Sequence, residues 1–251
     1  MAKTTQQRDL PRAYKFVVRV LRPLLMVLTK RDWTGVENLP GEGGFIACPN
    51  HLSHTDFVMF GHLMYDVGRP VLFLGKSSVF EYPVIGWIVR RAGQIPVYRG
   101  SSRAIDAYRA AVDAVRAGAA VAMYPEGTLT RDPDLWPMRG KTGAARVALE
   151  TRCPVIPVAM WGPQELMMPY GRSVHLFPRK TMRIDVGTPV DLSDLYDAPD
   201  QRVAASEATD RIMAALTAQV AALRGQEAPP VRYDPAAHGM TEFGRPERKD
   251  G

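Results

Sequence analysis

His51 and Asp56 lie five positions apart in Asn50-His51-Leu52-Ser53-His54-Thr55-Asp56, between an apolar run, Phe45–Cys48, and a helical pattern, Phe57–Met64. An imidazole whose ordinary pKa is about 6.5 can take a proton near neutral pH, and a carboxylate on its other ring nitrogen fixes the tautomer and steadies the imidazolium. The pair could therefore act as a general base and its orienter. With 5 histidines and 26 acidic residues in the chain, such a spacing also arises by chance. Two further segments carry unusual polar residues where apolar runs end: Gly93-Gln94-Ile95-Pro96-Val97-Tyr98-Arg99-Gly100, and Tyr124-Pro125-Glu126-Gly127-Thr128 with Arg131 close behind. Arg99, flanked by glycine, can offer its fork to a phosphate or carboxylate, or form a surface ion pair. Pro-Glu-Gly-Thr is first of all a tight turn in which Gly127 supplies a positive φ.

Asp56 has a second possible task. Ser53-His54-Thr55-Asp56 fits a helix capping box, in which the acid reaches back to the backbone. The two tasks compete for one carboxylate, and the accompanying segments favour the pairing with His51. His54, between Ser53 and Thr55, is expected on an exposed first turn; His62, His175 and His238 read as structural or surface residues.

These residues need a scaffold. Short apolar runs at Phe45–Cys48, Pro70–Leu74, Ala119–Tyr124 and Pro154–Met160 read as buried strands, with Thr181–Val186 alternating and Asp32–Pro40 a short strand and turn. Gln94–Tyr98 reads as an edge or terminating strand, since Pro96 cannot donate to a ladder. Between them lie helical patterns: Ser77–Arg91 broken near Pro83, Ser101–Ala117 capped by Ser101 or Ser102 and ended by Gly118, Lys141–Glu150, and an Ala-rich Gln201–Leu223. Alternating strands and helices predict an α/β fold with a mostly parallel, mixed central sheet covered by helices on both faces. Loops at the carboxyl ends of such strands build sites, so all three polar segments are expected on one rim.

Ahead of this body, residues 1–10 read as a loose polar start. Pro11–Lys30 mixes large apolar residues with Arg12, Lys15, Arg19 and Arg22, which fall within roughly 80° on a helical wheel. Such a helix suits a membrane interface or a packed helix with a solvated basic edge; it is too short and interrupted to span a bilayer, and Pro23 should kink or break it. The expected organisation is an amphipathic interface helix over 1–31, one catalytic domain over 32–224, and a polar tail over 225–251 that is extended or disordered, or draped over the body.

The composition is that of an ordinary globular chain: 251 residues, 46% hydrophobic and 23% charged. The net charge of +6 favours anionic partners. Cations interleaved with large aliphatics, with no nucleic-acid-binding motif, point to a membrane surface rather than nucleic acid. Cys48 and Cys153 sit in apolar segments without metal-ligand spacing and read as buried thiols of a reduced protein. The polar first ten residues carry no signal-peptide pattern.

Taken in order, Asn50-His51-x-x-x-x-Asp56, Gly93-x-Ile-Pro-Val-x-Arg99, Tyr124-Pro-Glu-Gly-Thr128 and Val155-Ile-Pro-Val158 resemble the glycerolipid acyltransferases, most closely the 1-acylglycerol-3-phosphate (lysophosphatidate) group. The resemblance implies transfer of an acyl chain from coenzyme A or acyl carrier protein, as co-substrate and without a cofactor, to a lipid hydroxyl at the cytoplasmic face of the cell membrane. By the same matching His51 is the base and Asp56 its orienter, while Arg99 contacts the acceptor's phosphate. Glu126, Gly127 and Thr128 form the acceptor site, where Glu126 would accept from a glycerol hydroxyl or pin Arg99. Arginine usually follows Glu-Gly-Thr, but here the position holds Leu129. Arg131, Arg139 or Lys141 must then supply the cation, or the head group differs. Another acceptor (glycerol 3-phosphate, a lysophospholipid or a glycolipid) and a non-catalytic lipid-binding protein are the alternatives. No Gly-x-Ser-x-Gly nucleophile elbow and no metal motif is present. Phe57, Met59, Phe60, Phe73, Leu74 and the Trp87 segment are candidates for an acyl channel, and Leu166–Tyr170 for its mouth.

Overall fold

A computed structural model describes residues 4–98 and 104–240. Seven strands form one sheet: β1 (Thr29–Thr34), β2 (Phe45–Pro49), β3 (Val71–Lys76), β4 (Ile95–Val97), β5 (Ala120–Ala122), β6 (Val155–Trp161) and β7 (Lys180–Val186). Their order is β1-β7-β6-β2-β5-β3-β4. Every pairing is parallel except β6 with β7, so the expected mostly parallel, mixed sheet is what the chain forms. Strand β2 lies between β5 and β6 and is buried along its whole length. Its side chains alternate between two cores, as a pleat of period two requires. Phe45 and Ala47 join one core with Met59, Phe60 and Leu63, while Ile46 and Cys48 join the other with Ala111, Val147 and Ile212.

The first face is covered by α2 (Arg12–Leu28) and α3 (Asp56–Asp66). The second is covered by α5 (Ala104–Arg116), α6 (Gly143–Thr151) and α8 (Gln201–Arg224). A helix α4 (Pro83–Arg91) packs beside α2. Its proline stands in the first turn, where the missing N–H costs nothing. Asp200 caps α8 by accepting from the amides of Arg202 and Val203, and Gly225 ends it with φ 62°. Pro96 sits in β4 at the sheet edge, in keeping with its inability to donate.

The N-terminal segment departs from the sequence reading. Thr5–Asp9 is a short helix, α1, closed by a capping box between Thr4 and Gln7, and so is not a loose start. Thr4 Oγ1 and Gln7 Nε2 donate to the Gly68 and Tyr65 carbonyls, docking the segment against the end of α3. Helix α2 runs through Pro23 without a break; the proline is exposed, where water can satisfy the carbonyl it leaves unpaired. Arg22 leaves the expected basic stripe. Its guanidinium meets Asp66 of α3 at 2.6 Å, and Arg31 reaches the same carboxylate at 3.3 Å. The domain boundary expected at residue 31 falls inside β1, because that strand pairs with β7 from Thr29 onward. At the other end, residues 225–240 lie along the body: Arg232 pairs with Asp210, and Arg139 pairs with Asp234 and donates its amide to the Tyr233 carbonyl. The cap expected at Ser101 or Ser102 lies outside the described residues, as do positions 241–251 of the tail.

Candidate active site

Strands β2 and β5 are parallel neighbours, so the chain leaving each emerges on the same rim of the sheet. Asn50 extends β2 by side chain where the ladder ends. Its Nδ2 donates to the Met160 carbonyl (3.1 Å) and its Oδ1 accepts from the Met160 amide (2.7 Å), both fully buried. His51 follows on this fixed base. Its Nδ1 lies 2.9 Å from Asp56 Oδ2, and its side chain is 20% exposed while that of Asp56 is fully buried. A carboxylate can only accept, so Nδ1 carries the proton and Nε2 holds the lone pair. The imidazole stacks on Tyr124, at 4.1 Å between centroids and 24° between planes.

Asp56 performs both tasks that the sequence set in competition. The same Oδ2 accepts from the amides of Leu52 (2.6 Å) and Ser53 (2.8 Å) as well as from His51. One oxygen thus closes the turn from β2 into α3 and orients the ring. The helix cap is Thr55, not Ser53, and Ser53 Oγ accepts from the Thr55 amide. His54 is exposed, as expected.

Glu126 takes a different place from the one the sequence suggested. Its Oε1 accepts from the His51 amide (3.0 Å) and its Oε2 from the Met138 amide (3.1 Å), and the residue is 2% exposed. Both oxygens accept from backbone amides, one on each of two loops, and the side chain is buried between them. Glu126 braces the loop that carries His51 against the loop after β5. Burial pushes its pKa from 4.5 up to about 8, with the Met138 and His51 amides pulling the other way. The His51 carbonyl is gripped from the same loop by the Thr130 amide at 2.8 Å. Gly127 has φ 71°, and a Cβ there would lie 3.1 Å from Lys141 Cδ, so the lysine stem crosses the turn. Burial raises the Tyr124 phenol well above its ordinary pKa, with nearby Asp56 adding to the shift.

The structure therefore gathers His51, Asp56, Glu126, Gly127, Thr128, Arg131 and Lys141 at one rim, while Arg99 lies outside the described residues. Leu129 is buried, and Arg131 is 8% exposed. Two contributors, Arg224 and Asn50, escaped the sequence reading, and Tyr170, expected only at a channel mouth, takes a further place. Tyr170 brings its hydroxyl to Leu129, Thr128 and Arg131. Arg224 lies between the rings of Trp136 (4.0 Å) and Trp161 (4.4 Å). In the sequence Asn50 stands out only as the start of a motif. Of the channel candidates, Met59 and Phe60 are core residues, whereas Phe57 is 49% exposed and meets Phe73 edge-on at 6.1 Å.

The sequence model of the family described as Acyltransferase matches residues 30–161, just over half of the chain. A chloroplastic 1-acyl-sn-glycerol-3-phosphate acyltransferase from Brassica napus is 33% identical over 140 residues, covering 55% of this chain and 39% of that protein. The chain thus spans well under half the length of that relative. A 1-acyl-sn-glycerol-3-phosphate acyltransferase from Bacillus subtilis is 26% identical over 195 residues, covering 76% of this chain and 90% of the relative. Among solved structures, the 1-acyl-sn-glycerophosphate acyltransferase from Thermotoga maritima superposes with a TM-score of 0.64 at 22% identity, covering 86% of this chain and 83% of that one, which establishes a shared fold.

Proposed function

Because the chain belongs to the Acyltransferase family, we propose that it transfers a fatty acyl chain from acyl-CoA or acyl-ACP to the free hydroxyl of 1-acylglycerol 3-phosphate, giving phosphatidate. The observation that carries this reading is the His51–Asp56 pair, whose Nε2 lone pair is available while Nδ1 is committed to a buried carboxylate. His51 takes the acceptor's hydroxyl proton as the oxygen attacks the thioester carbonyl. The C–O bond forms, the tetrahedral intermediate collapses, and the C–S bond breaks. The proton held by His51 passes to the departing thiolate, so the base is restored within one turnover. Asp56 stabilises the transient imidazolium, and the substrate hydroxyl takes the place that a serine holds in a hydrolase triad. The reading places the acceptor against Thr128, Arg131 and Lys141, with Arg99 as a further phosphate contact.

The site would work at a membrane surface, from the cytoplasmic face of the cell membrane. The outward side of α2 carries Arg12, Lys15 and Arg19 beside exposed Phe16, Val20, Leu24 and Val27, and α4 adds Val84, Ile85 and Trp87. This combination suits peripheral attachment to anionic lipid. Among the described residues, no helix is long and apolar enough to cross a membrane.

Buried Leu129, where the family usually has arginine, favours a second reading with a different acceptor head group. Purified protein given acyl-CoA and a panel of lysophosphatidate, glycerol 3-phosphate, lysophospholipids and glycolipids decides between them. Lysophosphatidate is expected to lead; its ranking near the bottom would overturn the acceptor assignment, and undiminished transfer by His51→Ala would overturn the mechanism.

A further inference from the structure

The turn after α7 (Pro163–Leu166) closes with the Gly171 amide donating to the Met168 carbonyl at 2.8 Å. Pro169 is its second residue and Tyr170, with φ 59°, its third. A positive φ at the third position following proline is the setting in which turns take glycine or asparagine. A tyrosine held there against backbone preference points to a task for its side chain. The hydroxyl meets the loop after β5 at three residues, Thr128, Leu129 and Arg131. It donates to the Leu129 carbonyl at 2.9 Å, lies 3.2 Å from Thr128 Oγ1, and accepts from Arg131 Nε at 3.4 Å. A phenol has one proton to give; with that proton on Leu129, Thr128 must be the donor in its contact. Arg131 is buried, and its guanidinium meets the Tyr170 hydroxyl through the inner nitrogen, Nε.

We propose that Tyr170 is the positioning residue for acceptor recognition, setting Arg131 as the cation for a phosphomonoester head group in place of the missing side chain charge at position 129. The proposal rests on the acyltransferase reading. It assigns head-group choice to a turn beyond residues 30–161, the segment matched to the family.

The test compares lysophosphatidate with monoacylglycerol, which lacks the phosphate, as acceptors for the full chain with acyl-CoA. Tyr170→Phe keeps the ring and removes the hydroxyl. It is expected to raise the KM for lysophosphatidate about tenfold, with kcat and the acyl-CoA KM within about twofold and the monoacylglycerol rate unchanged. Tyr170→Gly relieves the backbone and is expected to give the same acceptor defect with no earlier melting than Tyr170→Phe. In an Arg131→Ala background, Tyr170→Phe should add nothing further, the mark of two residues acting as one unit. An unchanged lysophosphatidate KM in Tyr170→Phe overturns the inference alone. So does additivity with Arg131→Ala, or equal use of both acceptors by the wild type. A wild type that acylates no acceptor overturns the proposed function and the inference with it.

Discussion

Replacing Asp56 by asparagine isolates the charge of the orienting group from its geometry. In the native site Oδ2 accepts from three donors: His51 Nδ1 at 2.9 Å, the Leu52 amide at 2.6 Å and the Ser53 amide at 2.8 Å. The two backbone donors admit only an acceptor, so an asparagine must place its oxygen at the Oδ2 position. The ring then keeps its Nδ1–H tautomer. What is lost is the negative charge facing the imidazolium that forms in the reaction. At about 4 Å and an effective dielectric constant of about 20, that attraction is worth roughly 4 kcal/mol, or about three decades in kcat. Where the tautomer is lost as well, the drop in a serine hydrolase triad is roughly 10⁴-fold. Asp56→Asn should therefore retain somewhat more activity than a tautomer-scrambled site. Its new amide group falls where Oδ1 lies, buried and without a partner, at a stability cost of about 1–3 kcal/mol. Asp56→Ala removes the acceptor for two amides and the ring together, and is expected to be both less stable and less active than the asparagine variant. Free thiol released from acyl-CoA at saturating acceptor gives kcat, and thermal melting gives the folded fraction. Asparagine within tenfold of wild type would refute the electrostatic role. Asparagine no more active than alanine, at equal folding, would refute the claim that the backbone amides preserve the tautomer.

Glu126 links the brace behind His51 to pH. Its folded pKa of about 8 stands above the ordinary 4.5, so the folded state keeps a proton that the unfolded chain gives up, and stability should fall as pH rises from about 4.5 toward 8. Glu126→Gln cannot titrate and satisfies only one of the two amides; it should melt earlier at pH 5 yet lose less on going to pH 8, and parallel curves for both proteins would contradict the burial argument. Charge reversal of Arg12, Lys15 and Arg19 should weaken binding to anionic vesicles, most at low salt, whereas equal sedimentation of wild type and variant would make α2 a purely structural helix. Arg224→Met removes the cation between Trp136 and Trp161 and should cost about 1–3 kcal/mol in urea unfolding; Arg224→Lys, lacking the planar face, should recover only part, and full recovery would rule out stacking as the cause.

The sheet, its helices and its edge strand could be read from the sequence because each depends on local signals: a buried run, a period, a proline. β2 is an example, since the four apolar or small residues Phe45–Cys48 suffice to mark it, and the strand adds only Pro49. The rim loops were legible as motifs but not as contacts. Glu126 seemed free to meet substrate because nothing local reveals that its partners are amides 75 and 12 positions away. Arg22 was placed on a wheel by its own helix, whereas Asp66, 44 residues on, determines where it points. The conflict over Asp56 was an artefact of counting tasks per side chain; a single carboxylate oxygen has room for several donors. For Tyr170 the sequence shows only Pro169-Tyr170-Gly171, a turn-like triplet, and the positive φ that gives the tyrosine its meaning is not in the sequence.

The central place of β2 also bears on how the chain reaches its folded state. The strand carrying the base is finished by residue 49, yet its two neighbours are made of residues 120–122 and 155–161. On the ribosome, a wholly apolar strand must therefore wait about seventy residues for its first hydrogen-bonding partner, β5, and more than a hundred for its second, β6. Pairings so distant in sequence fold slowly and leave unpaired edges exposed in the interval. The Asn50 clasp on Met160, which seals the strand into place, joins positions 110 residues apart and so needs β6 to be present.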